Sequence, residues 1–212
     1  MNVKHHTGET KMILSIEKLW ETRLYATLSE YTHIPELEWE KLLMQLRCVK
    51  LKKGEFFINV GDMPDKLAFI VSGIFRVFYT TESGDEKILV FREENRLLSA
   101  YSSFLGNTAS KFSIQALEHS CLLYISLEDY NKLLSGHPCW QTISEKYTQL
   151  FLIEKEKKES EFLADSAQTR YENFMSKYPT FEERINQYHI ASYLGVSPVT
   201  LSRIRRKNCR TD

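Results

Sequence analysis

The sequence predicts an α+β protein in which a β-rich region lies between helical segments. Three observations support this. The 212 residues exceed the usual length of one small domain, so we expect two modest domains. The hydrophobic pattern changes from helical to β near residue 49 and becomes helical again after residue 126. Apolar residues make up 42% of the chain and charged residues 26%, a balance that lets a globular protein bury a core.

The N-terminal region is predicted to be helical after a polar start. Residues 1–14 are polar and irregular, and we expect a disordered lead-in there. Residues 15–47 carry leucines and Trp39 at helical spacing, with a break at Pro35. Helical structure is therefore expected on both sides of that proline.

Residues 49–126 have β character. Four short stretches rich in Val, Ile, Phe and Tyr are separated by turn residues: Leu67–Val71, Ile74–Tyr79, Lys87–Phe91 and Cys121–Ser126. Gly73 and Gly84 mark the clearest turns, because glycine adopts positive φ freely. Several short strands at near-regular spacing are typical of a small sandwich or barrel.

A short helical stretch, Leu127–Leu134, is followed by a break at residues 136–138 and then by a long helical pattern, Trp140–Leu163. About 24 helical residues would span roughly 36 Å. The first half of this helix carries an apolar stripe, formed by Ile143, Tyr147, Leu150 and Phe151. We interpret it as a dimerisation helix that links two domains; a core helix inside one domain is the alternative.

The segment Gln187–Arg206 matches the requirements of a helix-turn-helix. Such a motif needs a small residue where the two helices approach, a glycine at the turn and apolar residues on the inward faces. Seven positions carry suitable residues: Ile190, Ala191, Leu194, Gly195, Val196, Leu201 and Ile204. Asn186 can cap the first helix, and Ser197-Pro198 can begin the second. The sequence therefore predicts a DNA-binding motif.

The second helix of this motif would present polar side chains outward, where arginine can bond guanine and hydroxyl groups can reach bases or phosphates. Arg205 and Lys207 are expected to contact phosphate, which gives affinity without sequence information. The candidate DNA-binding residues are Asn186, Gln187, Ser197, Thr200, Ser202, Arg203, Arg205, Arg206 and Lys207.

The charge distribution agrees with this hypothesis. Although the net charge is zero, residues 166–212 carry eight basic and four acidic side chains, and the remainder carries 20 basic and 24 acidic ones. Five of the positive charges fall between Arg203 and Arg210. A basic tip on an acidic body suits a domain that meets phosphate.

The chain resembles the CRP/FNR family of transcription regulators, and the resemblance covers most of its length. It is carried by Lys53-Gly54-Glu55, by Val60-Gly61-Asp62, by the run from Phe69 to Gly73, by Ser83-Gly84-Asp85-Glu86 and, most specifically, by the string from Ile190 to Ile204. The resemblance implies an N-terminal antiparallel β-roll (a jelly roll), a long dimer helix and a C-terminal winged helix. Only six residues follow Arg206, too few for a β-hairpin, so we expect a reduced or absent wing.

The resemblance also implies functional residues and partners. Arg203 falls at a base-contacting arginine of the family, while Val199 replaces a base-reading glutamate. Double-stranded DNA, a second copy of the chain, RNA polymerase and a small-molecule effector are the implied partners. The implied organisation is a sensor domain in residues 1–138, a dimerisation helix in 139–164 and a DNA-binding domain in 165–212.

The nucleotide cassette departs from the family pattern. Members that bind cyclic AMP place a glutamate on the ribose and an arginine on the phosphate, whereas Ala100 and Ser110 stand at those positions here. A buried phosphate without arginine would be uncompensated, which costs several kcal/mol. We therefore expect no cyclic AMP binding. The candidate effector-pocket residues are Ser99, Tyr101, Ser102 and Ser103.

No cofactor or metal is predicted. Cys48, Cys121, Cys139 and Cys209 lack the clustered spacing of an iron–sulfur site, and reduced, partly buried thiols are the expected state. His119 and His137 could ligate haem, although a single histidine is more often structural.

An enzyme is not expected, because no nucleophile elbow, phosphate loop or paired-carboxylate motif is present. No apolar run is long enough for a membrane span and no secretory segment is evident, so we expect a cytoplasmic protein. The alternative function is a ligand-sensing or signalling module whose C-terminal helices contact proteins instead of DNA.

Overall fold

The computed structural model describes residues 6–208, with side chains from Lys18 to Lys207. The eight strands are β1 (Arg47–Leu51), β2 (Phe56–Ile58), β3 (Lys66–Ser72), β4 (Phe75–Thr80), β5 (Glu86–Arg92), β6 (Leu97–Leu98), β7 (Ser113–Ala116) and β8 (Ser120–Ser126). The nine helices of this range are α1 (His6–Ser29), α2 (Glu36–Gln45), α3 (Tyr101–Gly106), α4 (Leu127–Leu134), α5 (Pro138–Ala164), α6 (Ala167–Lys177), α7 (Phe181–Arg184), α8 (Gln187–Leu194) and α9 (Pro198–Asn208). The predicted α+β class is confirmed.

The predicted elements are close to the observed ones. Each of the four predicted strands differs from β3, β4, β5 or β8 by at most one residue at either end. The expectation of an irregular lead-in over residues 1–14 was wrong from His6 onward, where α1 begins. Once a helix has formed, each added residue brings one more backbone hydrogen bond, so α1 extends through polar sequence.

The strands form two four-stranded antiparallel sheets, with orders β1-β8-β3-β6 and β2-β7-β4-β5. Their facing sides enclose an apolar core, because successive side chains of a strand point to opposite faces. Ala68 and Ile70 of β3 and Phe75 and Val77 of β4 belong to this core. Two packed antiparallel sheets are the β-roll implied by the family resemblance, and that expectation is confirmed.

Helices cover the outer face of the first sheet. Phe69 and Val71, which alternate with the inward residues of β3, pack with residues of α1, α2, α4 and α5. Trp140 of α5 donates its indole N–H to the buried carboxylate of Glu38 in α2, with 2.9 Å between Nε1 and Oε2. This hydrogen bond satisfies two buried polar groups and fixes α5 against α2.

The C-terminal helices cover the outer face of the second sheet. A β-bulge at Leu89 shifts the pairing of β5 with β4, since Val90 pairs with Val77 and Ile88 with Phe78. The bulge brings Ile88 and Phe91 to the same outer face, although they are an odd number of positions apart, with two residues between them. Both pack in one apolar cluster with buried residues of α6, α7, α8 and α9.

Phe91 lies at the centre of that cluster. Its ring centroid is 5.2 Å from that of Tyr193, 5.5 Å from that of Phe181 and 6.2 Å from those of Phe174 and Tyr178. The side chain is 1% exposed. The apolar core of the C-terminal helices is therefore completed by a side chain of the β-roll.

Helix α8 also covers the outer edge of β5. The Ser192 hydroxyl donates to the carbonyl of Glu86 at 2.9 Å and accepts the N–H of Ile88 at 3.1 Å. Because an edge strand presents unpaired backbone groups, these two bonds satisfy a donor and an acceptor that the sheet leaves open.

Ion pairs border the same contact. Arg184 of α7 binds the carboxylates of Glu94 and Glu118, which follow β5 and β7. Arg76 of β4 pairs with Glu86 and lies 3.5 Å from Nδ1 of His189 in α8. Burial and the positive charge of Arg76 lower the pKa of His189, which favours a neutral imidazole at this contact.

Two findings concern the remaining sequence expectations. Within residues 6–208 no helix is both long enough and apolar enough to cross a membrane. Cys48, Cys121 and Cys139 are free thiols, and the Sγ atoms of Cys48 and Cys121 are 3.4 Å apart across β1 and β8. Cys209 lies outside the described residues.

Candidate nucleic-acid interface

Helices α8 and α9 form a helix-turn-helix. Gly195 joins them in the left-handed backbone region, with φ of 68°. Ile190, Ala191, Leu194, Leu201 and Ile204 are all buried between the two helices and their neighbours. This arrangement places α9 at the outside of the C-terminal helices with one face turned to solvent.

Two candidate DNA-binding residues cap these helices. The side chain of Asn186 accepts the N–H of Tyr188 at 2.9 Å, at the start of α8. The Ser197 hydroxyl accepts the N–H of Thr200 at 3.1 Å and lies 2.9 Å from the Thr200 hydroxyl. Capping satisfies N–H groups that a helix cannot bond internally, so these side chains already have structural partners.

The outward face of α9 is basic. Arg203, Arg206 and Lys207 are exposed, Thr200 and Ser202 are half-buried, and Gln187 at the start of α8 is exposed. Arg203 and Arg206 are three residues apart and lie on neighbouring positions of one helix face. Val199, which the resemblance aligns with the family's glutamate, is 62% exposed and adds apolar surface to the same face of α9.

Arg205 differs from its basic neighbours. Its Nε atom lies 3.0 Å from a carboxylate oxygen of Glu182, and the guanidinium is part-buried. The other partner of Glu182 is the Tyr171 hydroxyl, at 2.9 Å. This ion pair holds α9 against α7, and the phosphate contact of Arg205 stays a prediction.

The four predicted dimer-helix residues do not share one environment. Ile143 is buried in the protein's own core, and Tyr147 packs against that core with its hydroxyl 3.5 Å from the carbonyl of Leu97. Phe151 contacts the Tyr101 ring at 5.4 Å between centroids, while Leu150 is exposed. The predicted stripe mixes inward and outward residues because an apolar spacing alone does not show which neighbour covers it.

Sequence reasoning missed the exposed apolar residues beside Leu150. Leu152 and Ile153 are 65% and 59% exposed on α5. Both lie outside the predicted stripe, and the signal that could have revealed them is the unbroken apolar run Leu150–Ile153, which no single inward face can absorb.

The residues of the nucleotide cassette are buried or form hydrogen bonds to the protein's own backbone. Ala100 is fully buried before α3, and the Ser110 hydroxyl donates to the carbonyl of Phe112 at 2.7 Å. The hydroxyls of Ser99 and Ser103 donate to the carbonyls of Lys66 and Ala109.

Tyr101 connects this cassette to α5. Its ring lies 5.0 Å from that of Tyr147, and its hydroxyl is 2.8 Å from the Thr148 hydroxyl. Ser102, the remaining candidate, is exposed on α3. Tyr101 therefore links α3 to the long helix through a ring contact and a hydroxyl contact.

The comparisons with known proteins agree with this architecture. A family model described as the cyclic nucleotide-binding domain matches residues 48–137. The transcriptional activator protein Anr of Pseudomonas protegens is 27% identical over 167 residues, which covers 73% of this chain and 67% of Anr. Anr of Pseudomonas aeruginosa is 26% identical with the same coverage. These similarities support the resemblance to the CRP/FNR family of transcription regulators.

Solved CRP/FNR-type structures share the fold. FixK2 from Bradyrhizobium japonicum superposes with a TM-score of 0.71 at 13% identity, covering 78% of this chain and 85% of FixK2. The c-di-GMP responsive global regulator CLP of Xanthomonas campestris gives a TM-score of 0.66 at 14% identity, over 84% of this chain and 93% of CLP. At these identities the likeness is one of fold.

The two histidines named as haem candidates do not lie at a shared site in this structure. Nδ1 of His137 accepts the N–H of Cys139 at 3.2 Å and caps α5, while His119 is exposed. Among the described side chains, no three His, Cys, Asp or Glu residues come close enough to hold a metal ion.

We predict that Gly195→Ala destabilises the protein more than Gly84→Ala. Both glycines have positive φ, so each alanine adds backbone strain of about 1–2 kcal/mol. A methyl group at Gly195 would also lie 2.7 Å from the Phe162 ring, whereas at Gly84 nothing lies within 4 Å. Urea unfolding followed by tryptophan fluorescence measures both losses. Equal losses would contradict the importance of the Phe162 contact.

Proposed function

We propose that this chain is a homodimeric regulator that binds an inverted-repeat operator, with α9 of each copy in the major groove. The observation that carries the proposal is the exposed basic face of α9, set on a helix-turn-helix whose inward side is fully packed. A helix fits the major groove, and arginines on its outer face can bond guanine in a bidentate manner. The curated relatives of this chain are transcriptional activators, which supports the same conclusion.

The dimer is proposed to form along the outer face of α5. This helix has 27 residues and would span about 40 Å. Leu150, Leu152 and Ile153 expose apolar surface near its middle, while the inward residues of α5 pack on the chain's own β-roll. A second copy of α5 would bury this surface in a symmetric contact.

We assign residues 1–138 to the sensor, 139–164 to the dimer helix and 165–212 to DNA binding. Aromatic contacts support a connection between these parts, because Tyr101 of the sensor touches α5 and Phe91 touches the C-terminal helices. The sensor is proposed to respond to an effector other than cyclic AMP, since Ala100 and Ser110 supply neither a carboxylate nor a guanidinium.

The dimer interface predicts the effect of charges on the outer face of α5. Replacing Leu150 and Ile153 together with glutamate should raise the dimer dissociation constant about 100-fold or more, because buried unpaired carboxylates cost several kcal/mol. Sedimentation velocity at micromolar concentration measures the change. Leu37→Glu, at an exposed leucine of α2, is the matched control and should leave the dimer intact. An unmodified protein that sediments as a monomer would refute the dimer.

Arg203 and Lys207 are predicted to contribute differently to DNA binding. Arg203→Ala should cost about 1–3 kcal/mol on the preferred site, selected from random DNA, and much less on unrelated DNA. Lys207→Ala should weaken binding to all sequences and reduce the salt slope by about one. Titrations on both duplexes at several salt concentrations separate the two effects.

The same selection reports the operator geometry, for which half-sites roughly 34–36 Å apart are expected. Lys111→Ala, at an exposed lysine of the β-roll, should leave both affinities unchanged. If Arg203→Ala weakens both duplexes equally, Arg203 is a phosphate contact. If no duplex is selected and the chain does not bind DNA at low salt, the proposed function is wrong.

Cyclic AMP is predicted not to bind at low micromolar concentration. Ala100 and Ser110 are buried, and the Ser110 hydroxyl already donates to a backbone carbonyl, so a cyclic phosphate would lose its hydration without gaining a cation. Isothermal titration calorimetry measures this directly. Saturable heat at low micromolar cyclic AMP would show that another side chain replaces the missing arginine.

A further inference from the structure

A cleft of about 720 Å³ lies where β5, the second half of α5 and α6 meet. Its size is within the range of small-molecule sites, which are commonly 300–1,000 Å³. Aromatic rings of Phe151, Phe162, Phe174 and Tyr193 form part of its wall. The cleft lies outside the nucleotide cassette, and none of Ser99 to Ser103 lines it.

The cleft is strongly basic. Seven basic and three acidic side chains line it. The basic ones are Lys87, Arg92, Lys155, Lys157, Lys158, Arg170 and Lys177, and the acidic ones are Glu154, Glu159 and Glu161. An excess of one sign in a concave, partly apolar site raises the local concentration of ligands with the opposite charge.

Most of the inner charges already have partners. Glu154 bridges Arg92 of β5 and Lys177 of α6, with N–O distances of 2.7 and 2.8 Å. Burial alone would raise the pKa of Glu154, but its bonds to Arg92 and Lys177 lower that pKa to about 2. Arg170 donates to the carbonyls of Leu194 and Asp165. The bridge holds β5, α5 and α6 together around the cleft.

Lys158 has fewer polar partners: unlike Arg92 and Lys177 it pairs with no carboxylate among the described residues, and unlike Arg170 it donates to a single carbonyl. Its ammonium lies 3.3 Å from the centroid of the Tyr193 ring and 4.6 Å from that of Phe162, and it donates to the Tyr193 carbonyl at 3.3 Å. No ion pair within 4 Å joins it to a carboxylate of residues 18–207. This half-buried ammonium contacts the faces of two aromatic rings but pairs with no carboxylate. A bound anion would therefore supply the missing negative charge.

We propose that this cleft binds a small organic anion, whose negative head group pairs with Lys158 and whose apolar part packs against the rings of Phe162 and Tyr193. A purely inorganic ion would leave the aromatic wall exposed to water, and a neutral apolar molecule would leave Lys158 without a counter-ion. An amphipathic anion satisfies both surfaces. The proposal concerns ligand binding alone and does not depend on DNA binding.

Protonation of Lys158 should accompany binding. Burial lowers the pKa of the free ammonium to about 7, and the positive charges of Lys177 and Arg170 act in the same direction while Glu161 opposes them. The other ionisable groups that line the cleft are Tyr79 of β4, Lys87 and Arg92 of β5, Glu154, Lys155, Lys157 and Glu159 of α5, and Tyr193 of α8. A bound anion favours the ammonium, so affinity should be full below pH 7 and fall as the pH rises above 7.

The test uses the full chain and two fluorescent probes. 1-Anilinonaphthalene-8-sulfonate carries a sulfonate that stays ionised over this pH range, and N-phenyl-1-naphthylamine has the same rings without charge. Lys158→Met keeps an unbranched apolar stem against Phe162 and Tyr193 but removes the charge. We expect Lys158→Met to weaken sulfonate binding about tenfold or more at pH 6.5 and to change neutral-probe binding less than about twofold.

Lys111→Met is the matched control, because it removes an exposed lysine on the β-roll outside the cleft. Ser176→Trp, at an exposed position on the cleft wall, should reduce the binding of both probes by filling the space. Circular dichroism and thermal unfolding verify that each variant is folded. The wild-type affinity for the sulfonate should fall between pH 7 and 9, and that of Lys158→Met should not.

Several results would overturn the proposal. They are equal sulfonate affinity in wild type and folded Lys158→Met, equal affinity of wild type for the two probes, and sulfonate binding unaffected by Ser176→Trp. Inorganic phosphate that displaces the sulfonate probe at equal concentration would also overturn it, because the aromatic wall would then contribute nothing. Loss of DNA binding leaves all of these measurements unchanged, so the two proposals fail independently.

Discussion

The packing of Phe91 against the C-terminal helices is the interaction on which the arrangement of this protein depends. Phe91 belongs to β5, yet the rings around it come from α6, α8 and the residues near α7. Fully burying one phenylalanine stabilises a protein by roughly 1.5–3 kcal/mol, and favourable ring pairs add about 0.5–1.5 kcal/mol each. The C-terminal helices and the β-roll therefore share one core, and the orientation of α9 is fixed relative to β5.

The bulge at Leu89 makes this sharing feasible. In a regular strand Ile88 and Phe91 would point to opposite faces of the sheet. One of them would then face the interior of the β-roll and could not contact the C-terminal helices. With the bulge, both reach α8, while Leu89 and Val90 pack toward the interior cluster. The Ser192 hydroxyl then bonds the open edge of β5, so the same helix supplies apolar contact and backbone hydrogen bonds.

Helix α5 has three different environments along its length. Its first turns bury Trp140 and Ile143 in the core between the first sheet and its helices. Its middle exposes Leu150 and Ile153, and its second half lines the basic cleft with Lys158 and Phe162. A helix with three different neighbours cannot show one clean apolar stripe, because each neighbour selects a different face. The long helix thus connects the proposed effector response, the proposed dimer interface and the C-terminal helices that carry α9.

Local signals in the sequence determined the strands β3, β4, β5 and β8, the long helix and the helix-turn-helix. Those elements follow from the spacing of apolar residues along the chain, from capping residues such as Asn186 and Ser197, and from the turn glycine Gly195. All of these signals act within a few residues. Tertiary structure alone decided that Tyr147 faces inward, that Arg205 pairs with Glu182, and that the Lys158 ammonium lies over the Tyr193 ring with no carboxylate of residues 18–207 paired to it. These outcomes depend on which distant element approaches each side chain, because burial and ion pairing are properties of the assembled neighbours and not of spacing along the chain.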